Sequence, residues 1–505
     1  MTERPEVRGY GQRRRGQRMP VTVIVSVPHG ASAGNMLRHG LLPRLLGAGD
    51  SGGRIPQIRV VIASPLARDT AFVSEFQHER VVFEDLPAHH PSGIEARLQS
   101  MMQAAYLDSG VTESVRIRRA EASAAGTVRW VGGKASLARL FLPSVAHPAT
   151  RYDLSDSLVS HPLAEALFDR YEPSLLVVSS PGLIFSEVPL LRTARRQRVR
   201  AMAIDPSWDN FTNKLLPVRR VDRLLVWNEL MRDQAVSLHG YRPEEIRLCG
   251  APQFDAYFAR GSATSRDAFF RRVGADPARA LITVTTTPRS LYAHHDHVVR
   301  QLSDAIVSGR IGKPAQVLVR LHPRDDEDAY RAVRTWPHVI VEKPFRPTVK
   351  VADGLAVDVM PEHQSHLADT MRHSDVAVNV ASTIAIEACV FDTPVVNISF
   401  DGEQPAEYVK SARRYYKFTH YVNITRHDAA RVAETPDQMI DWVNRYLADP
   451  SLDADGRRKV VLEQCQFLDG NSGARVAEAV VDEMRGVLGW ETPSAFEPST
   501  QAVSR

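Results

Sequence analysis

Cysteine is scarce in this chain. Three residues, Cys249, Cys389 and Cys465, are spread through 505 positions. That spacing excludes a disulfide framework and a zinc-binding cysteine cluster, and it fits a reducing compartment. Long apolar runs are missing too: no stretch approaches the roughly 20 residues a membrane-spanning helix needs. No apolar h-region follows the arginines near the N-terminus, so a secretory leader is not expected. Nor does the body carry charge of one sign. The formal net charge is +4, and residues 1–18, with six arginines and two glutamates, account for all of it. A neutral body argues against nucleic-acid binding. The tail itself (Arg13, Arg14 and Arg15 among glycine and glutamine) is expected to be disordered. It is the segment suited to anionic lipid, which gives an expected location in the cytoplasm with peripheral contact at the inner face of the membrane.

What is present is an ordinary globular composition, 43% hydrophobic and 24% charged. The length suits two domains of roughly 230 residues each. From Val21 onward short aliphatic runs alternate with amphipathic stretches. Val21–Val27, Ile58–Ala63, Arg80–Phe83, Ser174–Ser179, Arg198–Ile204 and Arg223–Trp227 read as strands. Ala33–Leu46, Ile94–Leu107 and Ile184–Arg196 read as helices between them. Residues 256–280 are polar, carry Gly261 and Pro277, and read as a linker. Alternation then restarts with strands at Leu281–Thr285, Gln316–Leu321, Val339–Glu342, Val376–Val380 and Val395–Ile398. Helices are expected at His297–Val307, Asp328–Thr335, Pro361–Arg372 and Ile384–Val390, and three more near the C-terminus. The expected organisation is a basic tail at 1–19, a Rossmann-like domain at 20–255, a linker at 256–280, a second Rossmann-like domain at 281–488 and a frayed tail at 489–505. Each domain is α/β and doubly wound around a mostly parallel sheet.

Chemistry-bearing residues gather where strands end. After the Val376–Val380 strand, Ser382 and Thr383 occupy a helix N-cap, where hydroxyls and free amides suit a phosphate. Glu387 follows one turn later and can reach a ribose. Acids and hydroxyls at the carboxyl end of a parallel strand mark a nucleotide site. The loop Thr285-Thr286-Thr287-Pro288-Arg289-Ser290 offers hydroxyls, amides and a guanidinium to a diphosphate or sugar phosphate. In Arg320-Leu321-His322-Pro323-Arg324 the proline ends the strand and sets the imidazole over the cleft, with an arginine on either side. In the first half, His29 lies in the Gly-rich loop Pro28-His29-Gly30 and is a candidate general base. Asp205-Pro206-Ser207-Trp208-Asp209-Asn210 joins an indole face for sugar recognition to Asp205 or Asp209 as alternative bases. No metal is expected. Adjacent histidines at His294, His295 and His297 rarely converge on one ion, and the acids Asp325, Asp326, Glu327 and Asp328 complement a helix start.

Two doubly wound halves facing a cleft resemble the GT-B glycosyltransferases. The Arg320–Arg324 segment and the Ser382-Thr383 pair resemble the HP and S-S/T motifs of bacterial sialyltransferase-type enzymes. With the closing Asp469-Gly470-Asn471-Ser472-Gly473-Ala474-Arg475, they also resemble the CDP-glycerol glycerophosphotransferases of teichoic acid synthesis, which end in a similar Asp-Gly-x-x-x-x-Arg. The UDP-N-acetylglucosamine 2-epimerases share the same general plan. The resemblance spans most of 280–476. It implies that His322 contacts the donor's nucleotide phosphate and that the first-half loop faces the acceptor. The implied reaction moves a sugar from a nucleotide-activated donor to a cell-surface glycan. The alternatives are transfer of a polyol phosphate from a CDP-linked donor, or an epimerase-like isomerisation. The expected catalytic residues are Asp209, His29 and His322. Those expected to bind the donor are Thr286, Thr287, Arg289, Arg320, His322, Ser382, Thr383 and Glu387. The donor is a substrate, and no separate cofactor is expected.

Overall fold

The computed structural model describes residues 21–47, 57–86, 89–126, 159–214, 217, 219–258, 264–344, 346–347, 357–358 and 360–489. The expected tails lie outside the described residues, apart from Gly489. Strand β1 (Val21–Ser26) shows why the sheets form: all six residues are buried, as they must be when helices cover both faces of a parallel sheet. It is followed by β2 (Ile58–Ala63), β3 (Val81–Glu84), β4 (Leu175–Val178), β5 (Arg200–Ile204), β6 (Arg223–Val226) and β7 (Ile246–Leu248). These seven strands run parallel in the order β3-β2-β1-β4-β5-β6-β7.

The second sheet contains β8 (Ala280–Thr285), β9 (Ala315–Arg320), β10 (Val339–Glu342), β13 (Val376–Asn379), β14 (Val395–Ile398) and β15 (Ala430–Ala433). Its six strands are parallel in the order β10-β9-β8-β13-β14-β15. Two short strands, β11 (Arg346–Pro347) and β12 (Val357–Asp358), pair antiparallel with each other, and β12 lies against the Gly30–Ala33 turn. Strand order reverses between β1 and β4 in one sheet and between β8 and β13 in the other. Such switch points open crevices at the carboxyl ends of the strands, where α/β proteins hold ligands. The two doubly wound sheets form the GT-B architecture.

Four sequence expectations differ from the structure. The 256–280 segment includes helices at Asp255–Phe258 and Arg266–Val273, and Phe269 and Phe270 of the latter are buried. Asp328–Thr335 is not one helix but two 3-10 turns, Glu327–Tyr330 and Val333–Thr335. The expected Ala33–Leu46 helix is broken into Gly30–Ala33, a wide turn at Gly34–Arg38, and Leu41–Gly47. The fourth is the last helix, Ser472–Leu488. It packs on the first sheet and on Leu41–Gly47, burying Val476, Ala477, Val480 and Met484 there.

That return crossing depends on two glycines. A Cβ on Gly250, whose φ is +82°, would lie 2.4 Å from Ser472 Oγ, and one on Gly473 would lie 2.0 Å from the His39 carbonyl. Asp255 then receives the freed amides of Ser472 and Gly473 at 2.9 and 2.7 Å. The Asp469–Arg475 pair of the closing motif, Nη1 to Oδ1 at 2.9 Å, braces the same turn. No helix among the described residues is long and apolar enough to cross a membrane.

Candidate active site

The carboxyl edges of the two sheets meet. Trp208, which follows β5, donates its indole N–H to Thr383 Oγ1, which follows β13, at 3.2 Å. The loop that ends β1 leaves the same edge of the first sheet as Trp208, and the loops that end β8 and β9 leave the same edge of the second sheet as Thr383.

His322 sits just past β9. Its Nδ1 accepts the Arg324 amide hydrogen at 3.0 Å, so the neutral ring keeps its proton on Nε2. Burial, opposed by Asp325 and assisted by Arg324, lowers its pKa to about 4. At neutral pH the ring is therefore an uncharged N–H donor. Thr286 holds this loop in place. Its hydroxyl accepts the His322 amide hydrogen at 2.7 Å and donates to Asp325. Thr286 is thus a buried support for His322 and not the donor ligand expected from the sequence.

Thr287 is half-buried. Both its amide and its hydroxyl reach His295 Nε2, at 2.9 and 3.1 Å. One ring nitrogen has one lone pair, so the fixed amide satisfies it and the hydroxyl can turn to a ligand. Arg289 is exposed and stacks over Tyr330 at 6.0 Å. No carboxylate pairs with it among the described residues. Ser382 and Thr383 are half-buried. Ser382 Oγ accepts the Ile384 amide hydrogen at 3.3 Å, and the Thr383 oxygen already takes the Trp208 indole. Both hydroxyl hydrogens remain to be donated. Ala381 before them has φ +38°, a left-handed conformation that costs about 1–3 kcal/mol outside glycine and gathers at ligand-binding loops.

Two further expected donor ligands face elsewhere. Arg320 is buried, and its Nη1 pairs with Glu342 Oε1 at 2.9 Å, while His366 holds the other Glu342 oxygen at 2.8 Å. Glu342 is its partner in register on the adjacent strand β10, so the guanidinium is held between strands and not offered to a ligand. Glu387 is 7% exposed and accepts the Tyr257 hydroxyl at 2.8 Å. Burial lifts its pKa to about 7, with Tyr257 and Arg320 opposing. It is a buttress between the Asp255–Phe258 turn and the second sheet, not an open ribose ligand.

In the first half the indole reading changes as well. Trp208 is buried, edge-on to His420 at 4.9 Å, and offers no face to a sugar. Asp209 lies next to Lys214 at 3.4 Å. Burial alone would raise its pKa, but Lys214, His420 and hydrogen bonds from Ser207 and Asn213 together hold it below the usual carboxylate range. A carboxylate held that low is a weak base, which counts against the expected catalytic role. Asp205 is fully buried and accepts Ser207 N–H at 3.0 Å and Asn210 Nδ2 at 2.6 Å. His29 caps the Gly30–Ala33 turn at the end of β1, half-buried, with Nδ1 3.1 Å from the Ser32 amide.

The acidic run Asp325–Asp328 is committed to protein partners. Asp325 accepts Thr286 and Tyr330, Asp326 caps a turn, and Glu327 and Asp328 pair with Arg334 and Arg331. Elsewhere, His89, Glu95 and His161 bring ligand-type atoms within 4.8 Å of one another. The Arg192 guanidinium pairs with Glu95 and lies 3.3 Å from His161 Nε2, so a cation of the protein's own already serves that cluster. Two groups near the strand ends carried no sequence signal. One is Asn379 at the end of β13, 1% exposed, whose amide oxygen and nitrogen both lack a hydrogen-bond partner among the described residues. The other is Glu187, fully buried behind β4.

The fold is that of a GT-B transferase. The chain belongs to the CDP-glycerol:poly(glycerophosphate) glycerophosphotransferase family, whose pattern matches residues 189–482. Solved structures resemble it across most of its length. A putative UDP-N-acetylglucosamine 2-epimerase from Listeria monocytogenes matches with TM-score 0.52 and 10% identity, over 95% of this chain and 100% of that one. The S. aureus MnaA–UDP structure matches with TM-score 0.50 and 11% identity, over 94% and 100%. The wall teichoic acid polymerase TagF shares 12% identity over 63% of this chain and 74% of its own, with TM-score 0.39. At these identities the likeness is one of fold. No curated protein matches the chain.

Proposed function

We propose that this protein transfers a polyol phosphate of the glycerol phosphate class from a CDP-linked donor to a hydroxyl of a surface polymer. Of the transfers open from the sequence, this is the one its family carries out. The observation that carries the site assignment is His322, an uncharged N–H donor at the carboxyl end of β9. The acceptor oxygen attacks the donor's β-phosphorus, the bond from that phosphorus to CMP breaks, and the acceptor proton passes to His29. His322 Nε2–H, Arg289 and the Ser382, Thr383 and Thr287 hydroxyls offset the charge on the departing CMP. Asp209 and Glu387 take no part in the chemistry.

These donors supply charge compensation without a metal, so the reaction is proposed to survive chelator. The arginine-rich tail is proposed to hold the enzyme on anionic lipid at the inner membrane face. Cosedimentation with phosphatidylglycerol vesicles, lost on removal of residues 1–18, is the expected result.

Thermal shift against CMP, CDP, UDP, GDP and TDP tests the donor class, since a bound nucleotide stabilises the fold by mass action. Cytidine nucleotides should give the largest shift, and His322→Ala should reduce it. A larger shift with uridine or guanosine nucleotides would replace the donor, and an unchanged shift in the variant would remove His322 from the site.

A further inference from the structure

The indole of Trp208 belongs to the first lobe but is packed by the second. Its side chain is buried, edge-on to His420 at 4.9 Å and tilted against Tyr421 at 6.0 Å, both on the helix Thr419–Thr425. The Tyr421 hydroxyl is in turn held by Asn397 Oδ1, in β14, at 2.9 Å. From the other side, the loop after β5 fixes the backbone that carries the indole. Asp205 Oδ1 accepts the Ser207 amide hydrogen at 3.0 Å and Asn210 Nδ2–H at 2.6 Å, and the Asp205 carbonyl accepts the Trp227 indole N–H at 2.9 Å. So placed, Trp208 gives its own N–H to Thr383 Oγ1 at 3.2 Å.

An indole N–H can only donate, whereas a threonine hydroxyl has one hydrogen and two lone pairs. The Thr383 oxygen therefore turns a lone pair toward Trp208 and its hydrogen away. The bond also selects a side-chain rotamer. A threonine at a helix start has other χ1 wells open to it, in which the hydroxyl bonds back to its own chain. Ser382 shows the contrast, since its Oγ accepts the Ile384 amide hydrogen at 3.3 Å and is held by its own backbone. Thr383 makes no such capping bond to the helix Ile384–Val390. Its fixed donor comes from the opposite lobe.

We propose that Trp208 is a positioning residue for the donor: it holds the Thr383 hydroxyl so that the hydrogen is presented to a donor phosphate. The inference rests on the reading of Thr383 as a phosphate ligand. Trp208 itself makes no bond to the donor. A phosphate that accepts the Thr383 hydrogen polarises the oxygen and makes it a better acceptor for the indole. Donor binding and the contact between the lobes therefore strengthen each other, by the same factor in either direction.

The test is calorimetric titration of CDP into the full-length protein, arranged as a double-variant cycle. Thr383→Val removes the hydroxyl and should weaken CDP by roughly 10- to 100-fold, the size of a hydrogen bond to a charged group. Trp208→Phe leaves the hydroxyl but frees its rotamer, and should weaken CDP by roughly three- to tenfold. In the Thr383→Val background Trp208→Phe should change affinity by less than about twofold, because no hydroxyl is left to hold. A packing effect of the smaller ring would carry over undiminished. A second measurement reads the same bond with the indole in place. In isotope-labelled protein the Trp208 indole N–H resonance should move downfield on adding CDP, and should stay put in Thr383→Val. That measurement decides the question if Trp208→Phe does not fold. Equal losses in both backgrounds, or an indole resonance indifferent to CDP, beside a weakened Thr383→Val, would overturn the positioning role and leave the site reading standing. A Thr383→Val protein that binds CDP as tightly as wild type, or a wild type that does not bind CDP, would overturn that reading and this inference with it.

Discussion

Replacing Glu387 by glutamine should stabilise the protein in alkaline buffer and do almost nothing in acid. The carboxyl has an ordinary value of 4.5 and is raised to about 7 where it is buried against Tyr257. Between those values the folded chain holds a proton that the unfolded chain has released. Stability therefore falls as pH rises through this window, and the cost is complete above pH 7. A shift of two and a half units corresponds to about 3 kcal/mol at pH 8, and to less than about 1 kcal/mol at pH 5. Glutamine cannot ionise, and its carbonyl still accepts the Tyr257 hydroxyl. If the second domain melts as one unit of about 200 residues, the variant should melt roughly 6–12 °C above wild type at pH 8. The two should coincide within a few degrees at pH 5. Scanning calorimetry of both proteins at pH 5, 6, 7 and 8 measures the offset. An offset that does not change with pH would mean that Arg320 keeps Glu387 ionised when buried, and the reasoning would be wrong.

Trp208→Phe keeps the ring against His420 but removes the 3.2 Å bond to Thr383; it should cost about 0.5–1.5 kcal/mol in urea unfolding. Asp209→Asn should leave kcat within roughly threefold of wild type, because so weak a base contributes little; a loss beyond about 100-fold would restore the aspartate as the base. Gly473→Ala places a Cβ 2.0 Å from a backbone carbonyl that has nowhere to go; it should lower stability by about 1–3 kcal/mol or more, read as a fall in melting temperature.

The parallel sheets were legible because their strands are short aliphatic runs buried on both faces. The loops that end them were legible because hydroxyls, glycine and proline stand out against such runs. His322, Ser382, Thr383 and His29 were singled out as candidates that way. What failed depended on the neighbour. Trp208 and Glu387 carry side chains suited to a sugar or a ribose, but nothing local tells that the opposite lobe comes close enough to bury one and that Tyr257 claims the other. Arg320 was misread because its partner, Glu342, lies on the adjacent strand β10 and is distant in sequence. Asp328–Thr335 has the charge pattern of a helix start, yet only Tyr330 and Val333 find apolar cover, too little for more than two short turns. Glu187 gave no signal because an acid inside a helical stretch reads as solvated.

The first sheet borrows Val476, Ala477, Val480 and Met484 from the last helix. On the ribosome, where polypeptide emerges from its N-terminus, that lobe stays unsealed until Ser472–Leu488 has been made, although its own strands were made long before. A nonsense mutation just upstream of Ser472 would spare all six strands of the second sheet and leave a greasy trough along Leu41 and Leu45. Quality control should recognise the early-synthesised half of such a product as unfinished.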